Sequence, residues 1–210
     1  MSSDTRTVAG RMLALAEQRG SDPAVAYLCV WTAAEVLISS LAWEAGVRPS
    51  FSLRQNGTLR TQKVDGLKVP QVVPPPEDHL MRTALKRLPA SARRQLVAHP
   101  SVRALAQRVP TIDGTPVRRD SFRQRLTGVM DLALTRDARY PVWHGINLDA
   151  VDACLRAGGS RHVGVDLLWQ IALVLRTIGD NLKLDASDDD EGLATSGLPL
   201  VRILVEGWLE

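Results

Sequence analysis

The chain has 210 residues, 45% hydrophobic and 23% charged, with a net charge of +3. Those values fit one domain over 1–210 with a core of its own. Two isolated cysteines, Cys29 and Cys154, without CxxC spacing, exclude a disulfide framework and a zinc site.

In chain order, a first helix is expected over 5–19, ended by Gly20. Asp22 followed by Pro23 reads as an N-cap with proline at the first helical position. The helix it opens runs to about residue 45 and stops at Gly46. It is apolar nearly all round, the mark of burial on several sides. Thr32, Glu35, Ser39 and Ser40 interrupt it, so it reads as a core helix and not a membrane span. The first twenty residues lack a signal-peptide layout, and the expectation is a cytoplasmic protein with no membrane contact.

Residues 47–76 change character. Asn56-Gly57 and Asp65-Gly66 are hairpin-type turn dipeptides between short alternating runs, which predicts a small β-hairpin insertion. Pro74, Pro75 and Pro76 close it and block helix until Glu77. Short amphipathic helices follow over 77–88, 91–99 and 101–109, punctuated by Pro89, Pro100 and Pro110. A loop turns at Asp113-Gly114. A longer helix then runs from about residue 120 into Arg139, with Phe122, Leu126, Val129, Met130, Ala133 and Leu134 at helical spacing. Asn147 caps a short helix over 148–156, and a long apolar helix covers 163–182. Residues 184–210 read as an acidic linker, with Asp188, Asp189, Asp190 and Glu191 solvated, and a C-terminal docking segment that is either helix or strand. The fold class is mainly α with that small β insertion.

Charge is unevenly spread. Residues 80–125 hold eleven basic residues and two acidic ones, whereas 131–210 hold seven basic and thirteen acidic. A basic block suits a polyanion partner, and it equally suits solvated helix faces rich in arginine.

Four histidines occur, His79, His99, His144 and His162, none at metal-ligand spacing with another ligand. Phosphate-loop, nucleophile-elbow, HExxH and dinucleotide-loop patterns are absent. The expectation is no metal and no cofactor. What remains is "RYPVWHG", 139–145. Phosphodiester cleavage without a metal needs a proton carrier near neutral pKa, which histidine supplies. It also needs a fixed cation for the charge growing on phosphate oxygens, which arginine supplies. RNA brings its own nucleophile, the 2′-hydroxyl. In a regular helix Arg139 and His144 would lie roughly 140° apart. Pro141 breaks the helix against the carbonyl of Asp137, and Gly145 permits a left-handed turn, so the two side chains can converge. The plainer reading is a helix end where cations suit the dipole.

The order of elements resembles the HEPN superfamily of α-helical domains. There an Arg-x4–6-His motif, often followed by Gly, closes one helix, and a further helix packs back on an up-and-down bundle. The match falls on Arg139, His144 and Gly145, with "AYLCVWTAAEVLISSLAW" similar to the family's early core helix. The resemblance covers 24–45 and 120–183 and is one of pattern. It implies a metal-independent endoribonuclease of toxin or phage-defence type, acting as a homodimer, with His144 as general acid/base and Arg139 as phosphate binder. It also implies a protein partner from a defence or toxin–antitoxin operon. Tyr140, where members commonly carry a polar residue, and Pro141 inside the motif are departures. They fit the alternative of a non-catalytic subunit that binds nucleic acid or protein.

Other residues take supporting roles in that reading. Glu35 is the lone charge of 24–43, and a buried carboxylate is costly unless paired. It is expected to orient Arg136, Arg139 or His144, or to pair structurally elsewhere. Arg136 and Asp137, one turn before the motif, contact phosphate or form a surface ion pair. Tyr140 and Trp143 stack on a base, or Trp143 packs in the core or a dimer contact. Arg118, Arg119, Arg123 and Arg125 are the expected contacts to the RNA backbone. A DNA-binding helix-turn-helix in 80–125 ranks last, because the prolines divide those helices awkwardly.

Overall fold

The computed structural model describes residues 1–64, 67–73, 75–108, 111–112, 115–116, 146–157, 163–184 and 188–210. Over these the chain is mainly helical. It runs α1 (Ser3–Gln18), α2 (Pro23–Glu44), β1 (Ser50–Phe51), β2 (Thr61–Val64), β3 (Leu67–Pro70), β4 (Val72–Val73), α3 (Glu77–Lys86), α4 (Ala90–Ala98) and α5 (Ser101–Arg108). The two-residue strands β5 (Thr111–Ile112) and β6 (Thr115–Pro116) follow, then α6 (Leu148–Arg156), α7 (Val165–Leu184) and α8 (Asp188–Leu209). The helix expected from about residue 120 to Arg139 lies outside the described residues.

Local chemistry sets the helix ends. Ser2 caps α1, its hydroxyl accepting from Thr5 N at 3.2 Å, so α1 starts two residues before the expected Thr5. Asp22 accepts from Val25 N at 3.0 Å, with Pro23 in the first helical position. α2 ends in a Schellman motif. Gly46 takes φ +85°, its N–H donates to the Trp43 carbonyl, and the Val47 N–H donates to that of Ala42. Asn147 caps α6 by accepting from Ala150 N at 3.0 Å, and the helix spans 148–156 as expected.

α2 is long and apolar enough to cross a membrane by length and composition. In this fold its apolar surface is used for packing: eleven of its residues are buried, against α1, α3, α7 and α8. Tyr27 and Trp31 are its largest buried side chains, and burying such a side chain stabilises by roughly 1.5–3 kcal/mol or more. The neighbouring helices approach closely at glycines. A Cβ on Gly179 of α7 would lie 2.7 Å from Trp31 Cδ1, and one on Gly197 of α8 would lie 2.8 Å from Tyr27 Cε2.

At the C-terminus the docking segment takes the helical of its two expected forms, and the acidic run expected as a linker is part of the same helix. From Asp188 the chain is helix, and Leu200, Val201, Leu204 and Val205 of α8 are fully buried. Its last turn is held from α3, where the Ala84 carbonyl accepts from Trp208 Nε1 at 3.0 Å. The acidic run is the opening of this helix, where carboxylates suit the positive end of the dipole.

The β insertion is more elaborate than one hairpin. β2 pairs with β3 across residues 65–66, and β1 pairs with β4 at the base. Between β1 and β2 a second turn protrudes, with Leu53 bridged to Leu59 and Gly57 at φ +78°. Thr111 and Ile112 pair with Pro116 and Thr115 as the minimal β5–β6 ribbon.

Candidate functional site

Of the site residues drawn from the sequence, the structure describes Glu35. Arg118, Arg119, Arg123, Arg125, Arg136, Asp137, Arg139, Tyr140, Trp143 and His144 lie outside the described residues.

Glu35 sits at the mouth of a cleft of about 280 Å³ between α2, α3 and α7. α2 supplies Trp31, Glu35, Ile38 and Ser39, at the i, i+4, i+7, i+8 spacing that puts residues on one helix face. α3 supplies Leu80 and Met81, and α7 supplies Arg176 and Asp180. The expectation of a buried carboxylate is corrected here: the Glu35 side chain is 43% exposed. Its Oε1 accepts from Lys183 Nζ at 2.7 Å and from Trp31 Nε1 at 3.0 Å. The indole needs a partner for its N–H, and Lys183 neutralises the carboxylate, so Glu35 serves the α2–α7 contact.

On the same rim Arg176 Nε lies 3.5 Å from Asp180 Oδ2, one helical turn on. Beneath, the Tyr27 hydroxyl donates to the Leu175 carbonyl at 2.6 Å. Burial pushes the Tyr27 phenol well above its usual value of 10.0, and the carboxylate of Asp180 adds to the rise. Trp31, Arg176, Asp180 and Lys183 were not singled out in the sequence. The signal available was the run of charges at 176, 180 and 183, spaced to share a face of an otherwise apolar helix.

The cleft therefore holds two carboxylates, each beside a cation, over an indole. It offers a place for a small polar group. It shows no pairing of nucleophile with base. Among the described residues no group of three or more His, Cys, Asp or Glu side chains could hold a metal ion. The two described histidines stand apart from the cleft. His99 Nδ1 accepts from Ser101 N at 3.2 Å at the start of α5, and His79 is exposed in the first turn of α3. Cys29 and Cys154 are free and partly buried against the core.

Four arginines of the described part of the basic block are used internally, whereas Lys86 and Arg94 are exposed. Arg82 pairs with Asp166 of α7 and its guanidinium lies 4.7 Å from the centre of the Trp169 ring. Arg87 reaches Glu44 at 3.1 Å, and Arg103 pairs with Asp152 of α6. Arg93 is buried and donates to the Leu88 and Lys86 carbonyls, each at 2.7 Å, satisfying the end of α3. These four arginines hold helices together. Compared with known proteins, the chain matches no family model, no curated sequence and no solved structure.

Proposed function

We propose that the chain is a HEPN-like, homodimeric, metal-independent endoribonuclease. In this reading His144 takes the proton of the RNA 2′-hydroxyl as it attacks phosphorus. The P–O5′ bond breaks, leaving a 2′,3′-cyclic phosphate, and His144 of the second copy gives the 5′ oxygen its proton. Arg139 holds the non-bridging oxygens as negative charge grows on them. The observation that carries the reading is the stretch 139–145, "RYPVWHG", set before the long apolar helix α7 in a mainly helical chain.

The test is cleavage of RNA in EDTA by the wild type, H144A and R139A. Loss of about 10²-fold or more in each variant is expected, with helical content and dimerisation intact. Full activity in either variant would refute the reading.

A second reading is a non-catalytic binding subunit of a defence complex. Tyr140 and Pro141 within the motif favour it. A purified wild-type protein that binds RNA with steep salt dependence, yet leaves it uncut, selects this reading over the first.

A further inference from the structure

Much of the positive charge on the helices is already matched. Arg82, Arg87, Arg103, Arg176, Lys183 and Arg202 each face a carboxylate. Arg6, Arg11, Lys86, Arg94 and Arg156 have no ion-pair partner among the described residues and are spread over α1, α3, α4 and α6, whereas the arm built from β1–β4 gathers such cations on one element. Arg54, Arg60, Lys63 and Lys68 have no ion-pair partner among the described residues. Asp65 is the only acid in residues 48–73. None of the described side chains from Ser50 to Val73 is buried.

The strand register sharpens the contrast. Lys63 stands directly opposite Lys68 on the β2–β3 ribbon. Like charges directly opposite weaken a strand pair, and a two-stranded ribbon is marginal in water on its own. An anion lying between the two ammonium groups would relieve the repulsion and steady the arm. At the base of the arm Arg48 stacks on exposed Trp43, 3.7 Å from the ring centre, and extends the cationic stretch.

We propose that this arm is a nucleic-acid-binding element whose Arg54, Arg60, Lys63 and Lys68 side chains contact the phosphates of an RNA strand. Phe51, 58% exposed, gives it an aromatic ring on which a base can stack. Four cations with no ion-pair partner among the described residues, against one acid in 48–73, suit a strand of fixed negative charge. They disfavour pairing of two arms between copies of this chain, because both arms carry the same sign.

The test uses the full chain and a labelled 2′-O-methyl RNA 24-mer. This strand lacks the free 2′-hydroxyl, so binding is read apart from any chemistry at Arg139 and His144. An inactive nuclease with intact binding leaves this inference standing, and an active nuclease with unchanged arm variants removes it alone. Four phosphate contacts on a single strand give a salt slope of about −2.8, a fall in affinity of about 50-fold from 50 to 200 mM salt. K63Q/K68Q is expected to reduce that slope by about 1.4, with an unchanged helical spectrum. R87Q removes a cation already held by Glu44 and keeps the wild-type slope. Absence of binding, or a wild-type slope in both K63Q/K68Q and R54Q/R60Q, would overturn the proposal. So would arm variants that dissociate a dimer or release an acidic protein while RNA binding is unchanged.

Discussion

Gly179 offers a sharp test of the packing at the centre of the fold. Its α7 backbone runs against Trp31 of α2, which is 1% exposed. A methyl group at position 179 would sit 2.7 Å from Trp31 Cδ1 and 3.0 Å from both Cγ and Nε1. Carbon atoms in contact prefer about 3.5–4.0 Å, so α7 or the indole must move by roughly 1 Å. The ring is a poor candidate to move, because its N–H is fixed on Glu35. Overpacking costs about 1–3 kcal/mol, while alanine gains up to about 1 kcal/mol over glycine in a helix interior. Gly179→Ala is therefore expected to destabilise by about 1–2 kcal/mol, a fall in Tm of roughly 2–8 °C for a chain of this size. Gly10 in α1 supplies the control: no atom lies within 4 Å of a Cβ there, so Gly10→Ala is expected to stabilise by about 0.5–1 kcal/mol. Thermal and urea unfolding followed by circular dichroism measure both. Trp31→Phe beside Gly179→Ala gives the coupling, and the pair should destabilise by less than the sum of the singles. Equal effects of alanine at 10 and 179 would refute the close approach of α7 to α2.

Other substitutions separate the roles of individual side chains. Arg93→Ala is expected to cost about 3 kcal/mol in urea unfolding, because it strips charged donors from the Lys86 and Leu88 carbonyls, at and just beyond the end of α3. Arg87→Ala, which loses only an exposed pair with Glu44, should change stability by about 0–1 kcal/mol, and similar losses in the two would contradict the assignment. Asn147→Ala removes the cap of α6 and should cost about 1 kcal/mol by the same assay. For Tyr27 the phenol is raised in the folded state, so its contribution is fully present below pH 10 and is lost as pH rises towards the folded value. Unfolding free energy measured from pH 9 to 11 should fall less steeply in Tyr27→Phe, with a cost of about 1 kcal/mol for the lost hydrogen bond to Leu175 at pH 9 that narrows as pH rises; parallel profiles would argue against a buried neutral phenol.

The helices were legible where one strong local cause acts. Asp22-Pro23, Gly46, the proline run before Glu77 and Asn147 each mark an end that the backbone chemistry demands. The C-terminal helix was obscured by competing signals. Gly192, Gly197, Pro199 and Gly207 all lower helix propensity, and the run of four acids resembles a solvated linker. Tertiary packing overrides them, because Gly197 fits against Tyr27 and the apolar positions from Leu200 to Val205 close the core. Glu35 pairs structurally, as one of its two expected roles has it, but its exposure differs from the expectation for a related reason. A single charge in an apolar helix reads as buried, but only the fold shows that its end of α2 lies at a cleft mouth facing Lys183. The chemistry assigned to Arg139 and His144 rests on the sequence.

Where the positive charge lies unmatched changes what it can do. By sequence density the arginines of 80–125 are the natural surface for a polyanion. Yet Arg82, Arg87, Arg93 and Arg103 are held by Asp166, Glu44, the backbone carbonyls of Lys86 and Leu88, and Asp152. Moving any of them onto a phosphate would exchange an existing interaction for a new one and gain little. Arg54, Arg60, Lys63 and Lys68 have no such partner among the described residues, and an anion would relieve the Lys63–Lys68 repulsion. The arm is a smaller density of charge than the block, but its four cations have no ion-pair partner among the described residues, and availability governs how many counterions a bound strand releases.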